Sequence, residues 1–445
     1  MLTAIRRDSL ARNSVLIMAS TVVTSGLGYL FWLVAARSLD RSAIGAATAL
    51  IAAATVASMV ANLGIGHMFI QRLPGSTPAG WSRIVTAGLL LATMATAAAA
   101  GLAALALPRM SANFAALTAW PAAFGLVATA VAVTASALLD QVFVAHRAGH
   151  GMLLRNLALG AGKLLTLVAV TASGLSDARA VLLAWTVPSL VVTAYTMGWG
   201  LPGSGRLTLR GLGAELRPIR AALTGHHLIN LGQAGPTALL PVLVTARLGT
   251  ADNAHFYVAW MTASVLFMVS PAVASALYAE RTNAAPVSLP RAALVVLAVT
   301  AGPGLVLFLA GGWILGLVSP GYAAAGGPLL KILVLAAIPD AITNLAVAHW
   351  RSLGLLRRCL RLNLLMAVVC VVLAWILLPA GGIVAAGWAW LAGQTVGAIA
   401  VAIRARRRPP VARPHPPGRA SPRFHSRTVR PAIHSRPRSR SRSVR

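Results

Sequence analysis

Twelve long apolar runs dominate the chain and limit what it can fold into. A helix needs about 20 apolar residues to cross the hydrocarbon core of a bilayer. Backbone groups inside lipid must bond to one another, and the runs lack the alternating pattern of a membrane β-barrel, so we expect helices. The sequence therefore predicts an all-α polytopic membrane protein with twelve transmembrane helices. The predicted spans cover residues 13–35, 44–70, 84–107, 116–139, 152–173, 181–200, 225–247, 256–279, 291–311, 328–349, 362–379 and 383–403.

The composition supports this assignment and excludes an ordinary soluble enzyme. Hydrophobic residues make up 58% of the chain and charged residues only 10%, whereas soluble domains have about 45–50% and about 25%. The two cysteines, Cys359 and Cys370, are too few for a disulfide framework or a four-ligand metal site.

The basic residues in the short loops predict how the helices are oriented. If the N-terminus is cytoplasmic, the inner segments carry 17 basic residues and the outer segments carry 6. Cytoplasmic loops are enriched in Lys and Arg. Because the number of spans is even, we expect both termini in the cytoplasm.

Two stretches near the ends of the first and seventh spans suggest an internal repeat. They read LVAARSLDRSAIGAATAL and LVTARLGTADNAHFYVAW, and they align on Arg37 and Arg247 with an offset of 210 residues. Six helices in each half is an even number, so the repeat is parallel, with two six-helix lobes around a central cavity. The predicted domains are a cytoplasmic N-terminus (1–12), an N-lobe (13–200), a cytoplasmic linker (201–224), a C-lobe (225–403) and an Arg/Pro/Ser-rich disordered cytoplasmic tail (404–445).

Several stretches, in order along residues 13–403, resemble one transporter superfamily. They are LVAARSLDRSAIGAATAL, ANLGIGHMFIQRLPG, RLGTADNAHFYVAW, SPAVASALYAE, SPGYAAAGGPLLKILVLAAIPDAI and RSLGLLRRCLRLN. The resemblance is to the multidrug/oligosaccharidyl-lipid/polysaccharide flippase superfamily, and most closely to the O-antigen and exopolysaccharide flippases.

This resemblance implies two lobes that alternate between inward-open and outward-open states in a bacterial plasma membrane. It implies a lipid-linked (polyprenyl-diphosphate) oligosaccharide as the cargo, used for cell-surface polysaccharide, with polysaccharide-assembly enzymes as partners. Lipid II flippases of the superfamily typically have two further helices, which the sequence does not predict, so lipid II is a less expected cargo.

Two ionisable residues fall in the middle of predicted spans, where a charge costs at least about 2.5–3.5 kcal/mol. Lys163, in the fifth span, could contact the diphosphate of a cargo, or could form a structural ion pair. Asp340, in the tenth span, lies one turn from Asn344 and could couple transport to H⁺ or Na⁺. We favour a structural or gating role for Asp340, in which Lys163 of the other lobe is its partner.

The seventh span carries a polar face. His226, Asn230, Gln233 and Thr237 are spaced by four, three and four residues, and Pro236 and Pro241 are expected to break the helix. Broken helices often mark transport sites, so we predict that this face lines the cavity. Arg37 and Arg247, at matching repeat positions, could meet anionic sugars or headgroups, or could be interfacial arginines.

No catalytic motif, nucleotide-binding loop or cofactor fingerprint is present, so the chain is predicted not to be an enzyme and to use no cofactor. The tail contains 14 arginines and no acid. It is expected to rest on anionic lipid rather than to bind a specific nucleic acid. The alternatives to a flippase are an ion-coupled multidrug exporter of the same superfamily and, from another class, a membrane-embedded glycosyltransferase or polymerase.

Overall fold

The computed structural model describes residues 9–62, 64–203, 205–213, 226–281 and 289–406, and these ranges are helical with no β-strand. Twelve α-helices follow in chain order. They are α1 (Ser9–Ser38), α2 (Arg41–Ala61), α3 (Ile65–Arg72), α4 (Pro78–Met110), α5 (Trp120–Ala145), α6 (Gly149–Ala172), α7 (Ala178–Tyr195), α8 (His226–Arg247), α9 (Thr250–Arg281), α10 (Leu289–Gly316), α11 (Pro320–Ser352) and α12 (Leu356–Arg406). A 3-10 turn, Ala112–Thr118, joins α4 to α5, and a π-helical turn, Thr196–Gly200, extends α7.

The predicted membrane spans are confirmed as helical, except that the second divides into two helices. Nine helices of the described ranges are long and apolar enough to cross a membrane. One of them, α12, is 51 residues long and contains two spans, because Gly382 (φ 58°, ψ −156°) interrupts it. Two more helices, α1 and α9, are 30 and 32 residues long, which is enough to cross a membrane. The described ranges therefore contain twelve helical segments of spanning length. The chain is therefore a multi-pass membrane protein.

The second predicted span differs from the structure because it divides into two helices. The sequence predicts one helix over residues 44–70, but α2 ends at Ala61 and the eight-residue α3 begins at Ile65. Gly64 stands between them with φ 73°, a left-handed conformation that glycine adopts readily and that ends a helix.

We call α1–α7 the N-lobe and α8–α12 the C-lobe, after the predicted division of the chain, and these two groups of helices meet along α2. Within the N-lobe, α2 packs against α4, α5 and α7, and across the interface it packs against α8 and α9. Because α2 and α9 are equivalent helices of the predicted repeat, their contact joins corresponding parts of the two lobes.

Close contacts join the lobes at the face that carries loops 39–40, 111–119, 248–249 and 317–319, which we call the closed face. The side-chain amide of Asn253 donates to the carbonyl of Gly45 and to the hydroxyl of Thr48, both at 2.9 Å. Three further side chains of the N-lobe donate to backbone carbonyls of the C-lobe at this face. They are the hydroxyl of Ser111 to Ala246 (2.9 Å), the amide of Asn113 to Thr245 (2.8 Å) and the guanidinium of Arg37 to Leu317 (2.5 Å). The lobes are therefore held together at this face.

The described part of the predicted linker is seated on the start of α4. Gly203 and Gly205 lie against Trp81, and a side chain at either position would collide with its ring. The indole N–H of Trp81 donates to Nε2 of His146 at 2.8 Å. Burial lowers the pKa of His146, which favours the neutral imidazole that can accept this hydrogen bond.

The chain divides into two compact units, residues 1–403 and 404–445. Everything described below belongs to the first unit. Most of the predicted N-terminus, residues 204 and 214–224 of the linker, and residues 407–445 of the tail lie outside the described residues.

Candidate functional site

The Lys163 side chain lies in the middle of α6 and packs on an aromatic cluster. Its ammonium nitrogen is 3.4 Å from the centre of the Trp185 ring, on α7, which is a close cation–π contact. Trp185 also contacts Phe31 and Trp32 of α1, and Trp32 packs edge-on against Tyr257 of the C-lobe with ring centres 4.9 Å apart. Lys163 is therefore connected through aromatic rings to the interface between the lobes.

A buried ion pair lies toward the start of α6, and the sequence analysis missed it. Nη1 of Arg155 donates to Oδ1 of Asp140, on α5, at 2.6 Å. Nη2 of Arg155 donates to the hydroxyl of Ser136 at 2.5 Å. The Arg155 side chain is 3% exposed and that of Asp140 is 25% exposed. The predicted spans 116–139 and 152–173 put both residues at span ends, but α5 continues to Ala145 and α6 begins at Gly149, so both charges lie within helices. The sequence signal for this pair is an acidic and a basic residue on either side of the short loop between α5 and α6.

The neighbouring Asn156 lies two helical turns before Lys163 on α6. Its side-chain amide donates to the hydroxyl of Ser20, on α1, at 3.0 Å, and its side-chain oxygen accepts from Arg155 at 3.1 Å. The polar face of α6 is thus partly used to join α6 to α1.

In the C-lobe, four of the predicted site residues form one hydrogen-bonded chain. Asn344 donates to Oδ2 of Asp340 at 2.9 Å and accepts from the side-chain amide of Gln233 at 3.0 Å. Arg351 completes the chain by donating to Asn230 at 2.9 Å and to Gln233 at 3.3 Å. We call this the C-lobe polar chain: Asp340, Asn344, Gln233, Arg351 and Asn230. It ties α8 to α11 across the polar face that the sequence predicts for α8.

Arg351 is the member of this chain that the sequence analysis missed. It was counted as a loop residue because the predicted span ends at 349, whereas α11 runs to Ser352. Its side chain is half-buried and reaches back to α8. A basic residue one or two positions past an apolar run can therefore belong to the polar interior of the bundle.

The predicted break in α8 is wrong. Pro236 and Pro241 lie inside one helix, His226–Arg247, that has no interruption. In a membrane bundle the groups that a proline frees can be satisfied by neighbouring helices, so the helix continues. The Thr237 hydroxyl donates to the carbonyl of Ala234 in the same helix.

The two histidines at the start of α8 are placed differently. The side chain of His226 lies outside the described residues. Nε2 of His227 is 3.2 Å from the carbonyl oxygen of Val60, at the end of α2, so a second contact between the lobes lies away from the closed face. No group of three or more His, Cys, Asp or Glu residues that could hold a metal occurs within the described chain.

Lys163 and Asp340 do not form the expected pair in this structure. Within the described ranges, Lys163 has no carboxylate partner, and Asp340 accepts a hydrogen bond from Asn344 in its own helix. The half-buried lysine is thus a cation held by an aromatic ring.

Arg37 and Arg247 both end a helix at the closed face, but their contacts differ. Arg37 donates to the carbonyl of Leu317 in the other lobe, whereas the guanidinium of Arg247 stacks on Trp375 of its own lobe, 4.5 Å from the ring centre. Arg37 therefore holds the lobes together, and Arg247 braces α8 against α12.

At the level of sequence, no family profile and no curated protein matches this chain. Solved structures do match. A lipid II flippase, MurJ, in an inward closed conformation superposes with a TM-score of 0.70 at 10% identity, over 89% of this chain and 88% of that one. An inward-facing multidrug resistance MATE family transporter of the MOP superfamily matches with a TM-score of 0.62 at 16% identity, over 86% and 93%.

A third match is a MOP superfamily transporter from Pyrococcus furiosus, described as having a binding pocket of reverse polarity. Its TM-score is 0.54 at 16% identity, over 89% of this chain and 94% of that one. These identities are low, so they report the fold. The chain therefore shares the fold of these solved flippase and transporter structures, which is the fold that the sequence resemblance implies.

Proposed function

We propose that the protein is a flippase that moves a lipid-linked (polyprenyl-diphosphate) oligosaccharide from the inner to the outer leaflet of a bacterial plasma membrane. The fold supports a transporter that works by alternating access rather than an enzyme. The choice of cargo rests on the charges inside the bundle.

The observation that carries the proposal is the state of Lys163. It is a half-buried cation in mid-membrane with no carboxylate partner among the described residues. The Trp185 ring stabilises its charge without neutralising it. A lysine ammonium is a compact point charge suited to a phosphate oxygen, so Lys163 is the proposed contact for the diphosphate of the cargo.

The buried carboxylates argue against a cationic cargo. Asp140 is paired with Arg155, and Asp340 is bonded to Asn344. A multidrug exporter for cations would need an acid available to its substrate. Asp340 keeps its charge, because a neutral amide does not cancel it, but Asp340 is only 6% exposed, whereas Lys163 is half-buried. The more accessible charge is therefore positive, and it favours an anionic headgroup.

The C-lobe polar chain is the proposed gating and coupling element. Asp340 and Asn344 would respond to H⁺ or Na⁺, and the chain would transmit that change to α8 through Gln233 and Asn230. His226 and Thr237 of α8 complete the proposed cavity lining. Arg37 and Arg247 would meet headgroups or sugars when the closed face opens.

The basic loops favour both termini in the cytoplasm, which makes the closed face the outer face. The proposed state is therefore closed to the outside. The basic tail is proposed to rest on anionic lipid, and polysaccharide-assembly enzymes are the proposed partners.

Reconstituted transport tests this proposal. Proteoliposomes would be loaded in separate experiments with a fluorescent polyprenyl-diphosphate oligosaccharide and with a cationic dye. We expect the wild-type protein to move the lipid-linked oligosaccharide between leaflets and to leave the dye distribution unchanged. Dye efflux with no movement of the lipid-linked cargo, by protein that retains its fold, contradicts the proposal and supports the exporter.

A further inference from the structure

A lateral groove lies on the N-lobe between α4 and α7. Both helices pack against α5, and the space between them has a volume of about 440 Å³. Most of its lining is aliphatic, and Leu90 and Leu190 at its edges are 37% and 42% exposed. This volume lies in the range of about 300–1,000 Å³ that is typical of small-ligand sites.

The linker closes one end of this groove. Leu207, Thr208 and Leu209 belong to the lining, and the backbone N–H of Thr208 donates to the hydroxyl of Thr86, on α4, at 3.0 Å. The glycine contacts with Trp81 hold the preceding residues in place. The groove therefore has a fixed end wall that does not belong to any membrane helix.

Arginines surround this end wall. Arg206 and Arg210 stand on either side of the lining triplet, and both are exposed. Arg83 lies three residues before Thr86 and seven before Leu90, so it extends the lining face of α4 by one turn. A Cβ on Gly211 would lie 3.1 Å from Cδ of Arg83, so the Arg83 side chain packs against the linker. Three basic residues thus flank this end of the groove, two in the linker and one on α4.

We infer that this groove is a binding site for an anionic phospholipid, with an acyl chain between α4 and α7 and the phosphate headgroup at Arg83, Arg206 and Arg210. The aliphatic lining is suited to the apolar acyl chain, and the positive arginines are suited to the negative phosphate of the headgroup. Cations near a membrane surface attract anionic lipid, and Arg binds phosphate through several N–H groups at once. This site does not depend on the identity of the transported cargo.

Photolabelling of the full chain in nanodiscs tests the site. The nanodiscs would contain zwitterionic lipid and a small fraction of phosphatidylglycerol with a diazirine in one acyl chain, or the same fraction of an equivalent phosphatidylcholine. We expect the phosphatidylglycerol probe to form adducts in α4, α7 and residues 205–213, several-fold above the phosphatidylcholine probe.

Two variants and one control make the result specific. The double variant Arg206→Gln/Arg210→Gln should reduce groove labelling by roughly tenfold, because two headgroup cations are lost. Leu190→Trp should also reduce it, because the larger side chain fills the groove. The control, Arg357→Gln/Arg358→Gln, removes two exposed charges from the C-lobe and should leave groove labelling unchanged.

Two outcomes overturn the inference. Equal labelling by both probes, with no effect of Arg206→Gln/Arg210→Gln, would mean that the groove holds bulk lipid without selecting a headgroup. Loss of labelling on addition of a polyprenyl-diphosphate oligosaccharide would assign the groove to the lipid tail of the cargo instead.

Discussion

Replacing Gly45 with alanine is expected to prevent the lobes from closing at the closed face and to abolish transport. A Cβ at this position would lie 1.6 Å from the carbonyl oxygen of Thr250 and 2.5 Å from its carbonyl carbon. Both atoms belong to the backbone of the other lobe, so no rotamer change relieves the overlap. The two helices must move apart, and the hydrogen bonds from Asn253 to Gly45 and Thr48 are lost with that movement.

The size of this effect follows from its two parts. Overpacking in a close-packed interface costs about 1–3 kcal/mol, and each lost hydrogen bond costs about 0.5–1.5 kcal/mol. The closed state should therefore be disfavoured by roughly 2–6 kcal/mol, which shifts the equilibrium between closed and open states roughly thirtyfold or more away from closure and lowers transport with it.

Two measurements check the prediction for Gly45→Ala. Transport in proteoliposomes reports the loss of activity, and the distance between spin labels on Ser38→Cys and Leu317→Cys, two exposed positions on opposite lobes, reports the separation of the lobes. Gly101→Ala is the matched control, because a Cβ there meets nothing within 4 Å. Wild-type transport and an unchanged distance in Gly45→Ala would show that this contact does not hold the lobes together.

Replacing Arg155 with methionine is expected to destabilise the N-lobe by about 3–5 kcal/mol, because the substitution leaves Asp140 without its charged partner in the bundle. The hydrogen bonds to Ser136 and Asn156 are lost as well. The double variant Asp140→Leu/Arg155→Met should recover most of this loss, because replacing both charges with apolar groups of similar size removes the unpaired carboxylate.

The chain contains a matched control for this ion pair. Arg179 and Asp177 form an equally short pair of 2.7 Å, but their side chains are 73% and 48% exposed. Surface pairs of this kind contribute about 0–1 kcal/mol, so Arg179→Met should change the stability little. Thermal unfolding in detergent would rank the variants. An Arg155→Met protein as stable as Arg179→Met would mean that the Asp140–Arg155 pair contributes nothing to the fold.

The sequence predicted the helices well and the polar interior only in part, and both results have the same cause. Long apolar runs identify membrane helices because lipid requires them, but a helix continues past its apolar run wherever its end packs inside the bundle. Asp140 and Arg351 lie in such extensions, and Arg155 lies in the first turn of its predicted span, so a rule based on apolar runs assigns all three to span ends or loops. Their partners come from other helices, and no local pattern in one helix shows them.

The polar face of α8 shows what spacing alone can predict. The spacing of Asn230 and Gln233 predicts that they share a face, and in the structure both contact Arg351. The spacing does not reveal what lies opposite, which depends on how α11 packs. Pro236 and Pro241 predict a break that does not form, because the cost of a proline in a helix depends on the neighbours that satisfy the freed backbone groups.

The measurement that tests the central claim most directly compares the two lysines of the chain. Lys163 and Lys331 both lie in membrane helices near an aromatic ring, but Lys331 is exposed and its ammonium is 5.8 Å from the ring of Phe308. Flipping of a fluorescent polyprenyl-diphosphate oligosaccharide would be measured in proteoliposomes for Lys163→Met and Lys331→Met, at matched amounts of folded protein. We expect Lys163→Met to lose flipping by tenfold or more, as for the loss of a charge-assisted contact of about 1.5–3 kcal/mol, and Lys331→Met to match the wild type. Equal flipping by both variants would contradict the role of Lys163 as the contact for the diphosphate of the cargo.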